Sequence, residues 1–579
     1  MWRSRHIEAG GEGRIPRSEI PKQIDFVWGV KIPMRDGILL NATLYKPNDG
    51  VPTPTIFTLT PYMADRAHLR GVYFAQHGYV FAAVDSRGRG NSEGSFEPFV
   101  NEARDGHDIV EWLATQPWCD GQVGMWGGSY GGTVQWMALR EAPQHLKTIV
   151  PTASAHANVD FPFFKHIFAS FEIQWLTYIT GTAINTTLMD DSNFWIGKFQ
   201  EMYQNHRPYK DLDKIVGNAS IHFQTWVKHP HQDAYWEQMT LSPRQYDQIW
   251  LPILTITGHY DDDQPGAMEY YRRHMASQSK SKDMHYLIIG PWDHPGTRDP
   301  KPEFGGLKFA ESSLLEMNKL HKEWYDWTMK VGKKPTFLKK RVAYYVMGEE
   351  KWKFADSLEE IPAITKKMYL NSIAGANDVF HSGTLVNAVP KGTRSDIYTY
   401  DPLDTRYGEL ERKVLADYLT DQTYHLNLFG NGLVYHSAPF NRDTEITGWV
   451  KLFAWISLDV PDTDFTVVLS EVLPNGQVIK LTQDWLRARY RQSGKQAKLV
   501  VPGEINLYTF DGFTFFSRRM SKGSRLRLII SCPNTIYLEK NYNSGGVVAE
   551  ESGKDARTAH VTLYHDQDHA SYLEVPLVR

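Results

Sequence analysis

The chain has 579 residues, too many for one ordinary hydrophobic core, and about 150 residues per domain predicts three or four domains. With 41% hydrophobic residues, 22% charged residues and a formal charge of only -4, it is neither disordered nor a polyelectrolyte binder, which excludes nucleic acid as the expected partner. Its two cysteines, Cys119 and Cys532, lie far apart and form neither a metal-spaced pair nor a disulfide framework, so a reducing cytosol is the expected compartment. The leader MWRSRHIEAGGEGRIPRSEIPKQ lacks an apolar h-region and no apolar run approaches ~18 residues. A soluble, unexported, cytoplasmic protein with no membrane partner is expected.

From Phe26 to Tyr45 apolar and polar residues alternate as in strands, with Arg35-Asp36-Gly37 as the turn of a hairpin. Strand and helix signals then alternate: TIFTLT, a polar segment, YVFAAVD, a Gly-rich loop, a helical stretch with Ile109, Val110 and Leu113, and VGMWG. That order predicts a mainly parallel sheet covered by helices. Between about Thr152 and Trp250, aromatic segments such as FPFFKHIFASFEIQWLTYI show no period of two and predict a mostly helical insertion. ILTITG and HYLIIG resume buried-strand character and return the chain to the same sheet, so the insertion would sit over it as a cap. Beyond about Arg341, VAYYVMG, KMYLNS, GWVKLFAWISL, FTVVLSEV and SRLRLII are broken by Gly, Pro, Asn and Asp, the pattern of a β-sandwich or jelly roll. The expected division is 1–154 and 250–340 for two parts of an α/β core, 155–249 for the cap and 341–579 for the β domain.

Within GMWGGSYGG, VGMWG supplies a strand before Ser129 and TVQWMALREA a helix-compatible segment after it. A G-x-S-x-G match alone is weak, but strand, sharp turn and helix together are what a nucleophile elbow requires. The alternative is a Gly-rich turn in which Ser129 merely caps the helix. A serine hydroxyl is a poor nucleophile at neutral pH and needs a base and an orienting carboxylate, which in such a fold follow in the order acid then histidine. Both are present: ILTITGHYDDDQ ends a predicted strand in an acidic turn, and HYLIIGPWDHPG ends another at His294. Loops at the strand ends of a parallel sheet bring such distant residues together. Order alone does not choose among Asp261, Asp262 and Asp263, and Asp293 reads as loop scaffolding beside His294.

The chain resembles the cocaine esterase and α-amino acid ester hydrolase family, CocE/NonD-type serine hydrolases related to X-prolyl dipeptidyl aminopeptidases. The resemblance runs through PMRDGILLNATLYKP, TPY, DSRGRGNSEG, WCDGQVGMWGGSYGG, HPHQDAYW, GHYDD, GPWDH and SAPFNRDTEITGWVKLFAWISLDVPDTDFTVVLSEVLPNGQ, nearly the whole chain in the expected order. It implies an α/β-hydrolase core with an inserted helical cap and a C-terminal β jelly-roll domain. It also implies a catalytic set: Ser129 as nucleophile, Asp261 from GHYD as acid, His294 from GPWDH as base, and an oxyanion hole from the Tyr62 hydroxyl of TPY and the backbone N–H of Tyr130. The family's α-amino acid ester hydrolases recognise an ammonium group with a carboxylate cluster. Asp263 matches one position of it, Gln264 departs from the next, and Asp160 in ANVDFPFF is a looser match from the cap entrance. Asp160 and Asp263 would then form a partial acidic subsite, while an aromatic cap containing Trp175 and Phe164 would equally suit an apolar acyl group. Arg87 and Arg89 of DSRGRGNSEG read as a structured loop, and His229 and His231 of HPHQDAYW have no third convincing ligand for zinc.

The expected chemistry is acyl transfer to water from a small-molecule ester or amide through a covalent acyl-enzyme, with no metal and no organic cofactor. Two alternatives stand beside it: an X-prolyl dipeptidyl-peptidase-like peptidase, and a catalytically silent protein that holds carbohydrate or another protein through its jelly roll. Homo-oligomerisation is neither required nor excluded by these residues.

Overall fold

The computed structural model describes residues 23–578 except 374, 393 and 413–415. The polar leader, on which the expectation of an unexported chain rests, lies outside the described residues but for Gln23.

Strands β1 (Ile24–Pro33) and β2 (Leu39–Pro47) form the opening antiparallel hairpin. The chain then alternates: β3 (Thr53–Thr60), α1 (His68–Gln76), β4 (Val80–Asp85), α2 (Glu102–Ala114), β5 (Cys119–Gly128), α3 (Tyr130–Ala138) and β6 (Leu146–Thr152). After an insertion that carries α4 (Phe171–Tyr178), it resumes with β7 (Ile253–Tyr260), α5 (Gln264–Ala276), β8 (His285–Asp293), α6 (Met317–Met329), β9 (Val342–Val346) and β10 (Lys351–Ala355). These strands form one sheet in the order β1-β2-β4-β3-β5-β6-β7-β8-β9-β10. The run from β4 to β9 is parallel, flanked by antiparallel strands.

Helices on both faces explain the strand composition. Every residue of β4, VFAAVD, is buried, as a parallel strand covered on both sides requires. One face packs Ile109, Val110 and Leu113 of α2 and Val134 of α3 against Phe57 and Met125. The other packs Phe74 of α1 and Trp324 and Tyr325 of α6 against Phe81 and Ile256. Each such side chain removed from water contributes roughly 1.5–3 kcal/mol.

One sequence expectation needs correction. VAYYVMG does not open the second sheet: β9 is fully buried and pairs in parallel with β8, Leu287 opposite Val342, so the change of sheet falls at Ala363. A short, continuously apolar run is common to a buried parallel strand and a sandwich strand, and periodicity cannot separate them. The insertion is mostly helical, but its aromatic segment opens with strands. Phe163–Phe164 and Ile167–Phe168 pair as a tight hairpin, turned by Lys165 and His166 at φ 46° and 72°, before α4 begins. The rest of the cap is helical, including Ser192–Gln204, capped by Asp191, and Pro243–Asp247, which starts on a capping box from Ser242 and Gln245.

From Ala363 to Val578 the strands enclose a second core around Leu452, Phe465, Val467, Leu528 and Leu563. Its strand β11 (Val478–Arg487) meets the α/β core where Tyr260 OH donates to Lys480 O at 3.0 Å. At the end of β11, buried Arg487 bonds Asp464 and Glu539 at 2.8 Å each, and Glu539 N reaches Phe168 O of the cap hairpin at 2.8 Å. Among the described residues no helix is long and apolar enough to cross a membrane.

Candidate active site

β5 ends at Gly128 and α3 begins at Tyr130, leaving Ser129 alone to turn the chain, at φ 59° and ψ -124°. A positive φ on a residue with a Cβ is strained and persists only where the surroundings hold it. Here Ser129 N donates to Thr152 O at 2.9 Å, and Ser129 O accepts from the N–H groups of Gly132 and Thr133 at 2.9 and 3.1 Å. Strand and helix cross so closely that a Cβ on Gly127 would come within 2.8 Å of Gly131 O, and one on Gly132 within 2.5 Å of Ser154 Oγ. Tyr130, as the first residue of α3, carries an N–H that no turn of the helix can use.

Asp261 follows β7 and His294 follows β8; these strands are parallel neighbours, so both side chains leave the same end of the sheet as Ser129. His294 Nδ1 lies 2.8 Å from Asp261 Oδ1. The acid is itself held: Thr257 Oγ1 donates to its Oδ2 at 2.8 Å and Asp263 N to its Oδ1 at 3.1 Å. His294 is 5% exposed and Asp261 1%. A buried carboxylate on Nδ1 selects the imidazole with its N–H there, which leaves Nε2 as the proton acceptor. Of the three consecutive aspartates, Asp261 makes this bond; Asp263 Oδ2 is 3.6 Å from the same nitrogen, and Asp262 lines a different cleft.

Tyr62 follows β3, and its hydroxyl accepts a hydrogen bond from Trp175 Nε1 of α4 at 2.9 Å. Tyr62, Ser129, Tyr130 and Asp263 line one cavity of about 20 Å³, walled by Phe99, Phe161 and Trp175 and by Glu172 of α4. The Tyr130 ring stacks on Phe99 at 4.3 Å and lies 5.9 Å from Trp175. Its hydroxyl donates to buried Glu102, whose carboxyl burial pushes up to about 7 while the Tyr130 bond pulls it down.

A hydroxyl on a strained elbow, an imidazole oriented by a buried acid and a tyrosine beside them is a set that can transfer an acyl group. Comparison with known proteins agrees. Residues 36–296 match the X-Pro dipeptidyl-peptidase (S15 family), and residues 337–574 match the X-Pro dipeptidyl-peptidase C-terminal non-catalytic domain. Cocaine esterase of Rhodococcus sp. (strain MB1 Bresler) is 27% identical, over 95% of this chain and 98% of the esterase. The chain belongs to the CocE/NonD-type serine hydrolases. It is a hydrolase of ester or amide substrates. Its fold is shared with an aminopeptidase from the marine sediment archaeon Thaumarchaeota archaeon, at TM-score 0.81 and 20% identity over 98% of this chain and 99% of that one. It is shared equally with an α-amino acid ester hydrolase, at TM-score 0.81 and 20% identity over 96% of each chain.

This CocE/NonD-type hydrolase departs from its family's pattern at Gln264, and the structure supplies the reason. The Gln264 side-chain nitrogen donates to Gly258 O and to Phe515 O at 2.9 Å each, and its oxygen accepts from Phe515 N at 2.6 Å. A carboxylate there would face two carbonyl oxygens. Asp160 does not join Asp263: its carboxylate accepts from His156 N at 2.8 Å and Gly266 N at 2.5 Å, pinning the loop at 156–160 to α5, and it is not in the cavity wall. The acid that shares the cavity with Asp263 is Glu172, 2% exposed, which the sequence reading missed. Its signal was an acid inside the apolar run FEIQWLTY, since acids are seldom buried without a task.

Trp175 lies in the wall as expected, whereas Phe164 packs on Trp485 at 5.3 Å in the other cleft. His229 bonds Asp233, the N-cap of a short cap helix, at 2.6 Å. Among the described residues no group of three or more His, Cys, Asp or Glu side chains could hold a metal ion. The loop read from DSRGRG has a sharper task than the sequence revealed. Arg89, 0% exposed, donates to Pro61 O at 2.9 Å and to Ile179 O at 2.6 Å, tying the turn that carries Tyr62 to the end of α4.

Proposed function

We propose that the hydrolase cleaves a small ester or amide through an acyl-enzyme on Ser129. The observation that carries this reading is the 2.8 Å pair of Asp261 and His294 beside the cavity that Ser129 lines. His294 Nε2 takes the hydroxyl proton as Ser129 Oγ attacks the carbonyl carbon, and the tetrahedral oxyanion forms toward the Tyr62 hydroxyl and the Tyr130 N–H. Collapse breaks the bond to the alcohol or amine, which leaves with the proton from His294, and the acyl group stays on Oγ. A water deprotonated by the same imidazole then releases the acid and restores the serine. Asp261 stays ionised throughout and stabilises the imidazolium. Trp175 Nε1 donates to the Tyr62 oxygen at 2.9 Å and fixes where that hydroxyl sits. Preorganised donors of this kind contribute roughly 3 kcal/mol each.

For the acyl group, Glu172 and Asp263 favour a small residue bearing an α-ammonium group. The cavity of about 20 Å³ has room for about one water molecule, so bulkier acyl groups require the aromatic wall to move. Two fold neighbours, an α-amino acid ester hydrolase and an aminopeptidase, are named for such chemistry. The two buried free thiols suit a reducing cytoplasm.

Intact-protein mass spectrometry after mixing with a slowly hydrolysed ester tests the mechanism. The wild type gains the acyl mass and Ser129→Ala does not; acylation that persists in folded Ser129→Ala overturns the assignment.

A further inference from the structure

On the other side of the acid turn lies a cleft of about 370 Å³, within the range that holds a small organic ligand. It shares no wall residue with the Ser129 cavity. All three parts of the molecule build it: the cap gives Phe164, the α/β core Asp262 and Met268, and the β domain Trp449, Lys480 and Trp485.

Lys480 is the unusual member. It sits on β11, 7% exposed, with its backbone fixed by Tyr260 OH donating to its carbonyl at 3.0 Å and its N–H donating to Leu419 O at 2.9 Å. Among the described residues no protein acceptor or carboxylate pairs with its Nζ. Burial pulls the ammonium down to about 8 while the charge of Asp262 pulls it back up, so it is largely cationic at neutral pH.

The other acids of the wall are already engaged. Asp511 pairs with Lys165 at 2.8 Å, Glu269 with Arg273 at 2.7 Å, and Asp484 accepts from the N–H groups of Trp485 and Gly512 at 2.8 Å each. A buried ammonium with unused donors is costly, and an anion that enters the cleft removes that cost.

We propose that this cleft binds a small organic carboxylate, its oxygens on Lys480 Nζ and its apolar body against Phe164, Trp449 and Trp485. The other cations of the wall, Lys165, Arg272 and Arg273, are paired with Asp511 and Glu269, so Lys480 between aromatic walls matches a monoanion with an apolar body better than a phosphate, which calls for several charged donors. Carboxylic acids are also the products of ester and amide hydrolysis, so the ligand belongs to a chemical class that the enzyme itself releases.

Calorimetric titration of the full-length protein with benzoate and with neutral benzamide is the test, and because it reads no turnover its outcome is independent of the acyl-enzyme reading. Benzoate binds the wild type saturably, Lys480→Met weakens it by roughly tenfold or more, and benzamide binds the wild type weaker than benzoate by a similar factor. Should Lys480→Met fail to fold, Asp262→Asn replaces it: removing the opposing charge tightens benzoate by about threefold or more. The proposal is overturned by wild-type affinity in folded Lys480→Met, by benzamide matching benzoate, by no saturable benzoate binding, or by unchanged affinity in Asp262→Asn.

Discussion

The cavity at Ser129 and the cleft at Lys480 lie on opposite sides of the turn at 261–264 and are built from opposite materials. The first, about 20 Å³, is lined by a residue at φ 59° and a tyrosine hydroxyl held by an indole, and Asp263 of its wall lies 3.6 Å from the imidazole that Asp261 holds at 2.8 Å. The second, about 370 Å³, has room and aromatic walls; Asp261 is among its described lining residues, but Ser129 and His294 are not. The turn serves both. Asp261 is spent on His294, Asp263 faces the small cavity, Asp262 the large one, and Gln264 stitches the turn to the β domain. Chemistry in this molecule is placed by strained backbone and paired side chains, and volume marks where three parts of the chain meet around a buried charge.

The sharpest way to break that division is within the turn itself. Asp261→Asn removes the charge that orients and stabilises His294 and is expected to lower kcat by about 10⁴-fold. Asp262→Asn alters the wall of the other cleft and is expected to leave kcat within roughly tenfold of wild type, since a charge in a separate, wet space acts weakly on the reacting atoms. Steady-state rates at matched folded concentration decide it. Equal, mild losses would move the orienting acid elsewhere and erase the distinction between the two sides.

Next in size is Tyr62→Phe. The ring and its packing stay, and only the hydroxyl is lost, so kcat is expected to fall by about 10²–10³-fold with folding unchanged. An unaltered kcat would assign Tyr62 to packing against α4 and make the small cavity's polar side the work of Tyr130 alone.

How much of this was legible in the chain depends on how local each signal is. Ser129 between a strand and a helix, and an acidic turn and His294 at strand ends, are local signals that rest on a dozen neighbouring residues each, and the layered α/β core with its cap and β domain follows from the same alternation. The choice of Asp261 among three aspartates came only from the family resemblance. The end of the first sheet could not be placed, because the fully buried β9 carries no periodicity to tell one sheet from another. Arg89 was seen only as loop, since its partners Pro61 and Ile179 lie 28 and 90 residues away. Asp160 was placed in the site because an acid near the start of the cap says nothing about where its oxygens point; both go to backbone N–H groups.

Beneath the small cavity, Glu102 gives a prediction in stability rather than rate. Burial raises its carboxyl from 4.5 to about 7. Between these values the unfolded chain has lost a proton that the folded chain keeps, so stability falls as pH rises from about 4.5 to about 7, and the whole loss, on the order of 3 kcal/mol, persists above 7. Glu102→Gln keeps an acceptor for the Tyr130 hydroxyl and removes the titration. It is expected to exceed wild type in denaturant midpoint at pH 8, with the difference shrinking as pH falls toward 4.5. A difference independent of pH would mean that the charge is solvated and the floor of the cavity is wetter than its packing indicates.

The smallest effect separates the two acids of the catalytic cavity from the one left outside it. If Glu172 and Asp263 receive an α-ammonium group, the wild type prefers an α-amino ester over its des-amino analogue in kcat/KM, and Glu172→Gln cuts that preference by roughly tenfold, about 1.4 kcal/mol, a value held down by water in the pocket. Asp263→Asn is a poorer probe, because its carboxylate lies 3.6 Å from His294 Nδ1 and its loss lowers turnover of both esters. Asp160→Asn is the control: it loosens the loop at 156–160, where it accepts two backbone N–H groups, and so lowers stability while leaving the preference between the two esters intact. No amino-group preference in the wild type, or one that Glu172→Gln leaves untouched, removes the ammonium reading and gives the aromatic wall of Phe99, Phe161 and Trp175 to an apolar acyl group instead.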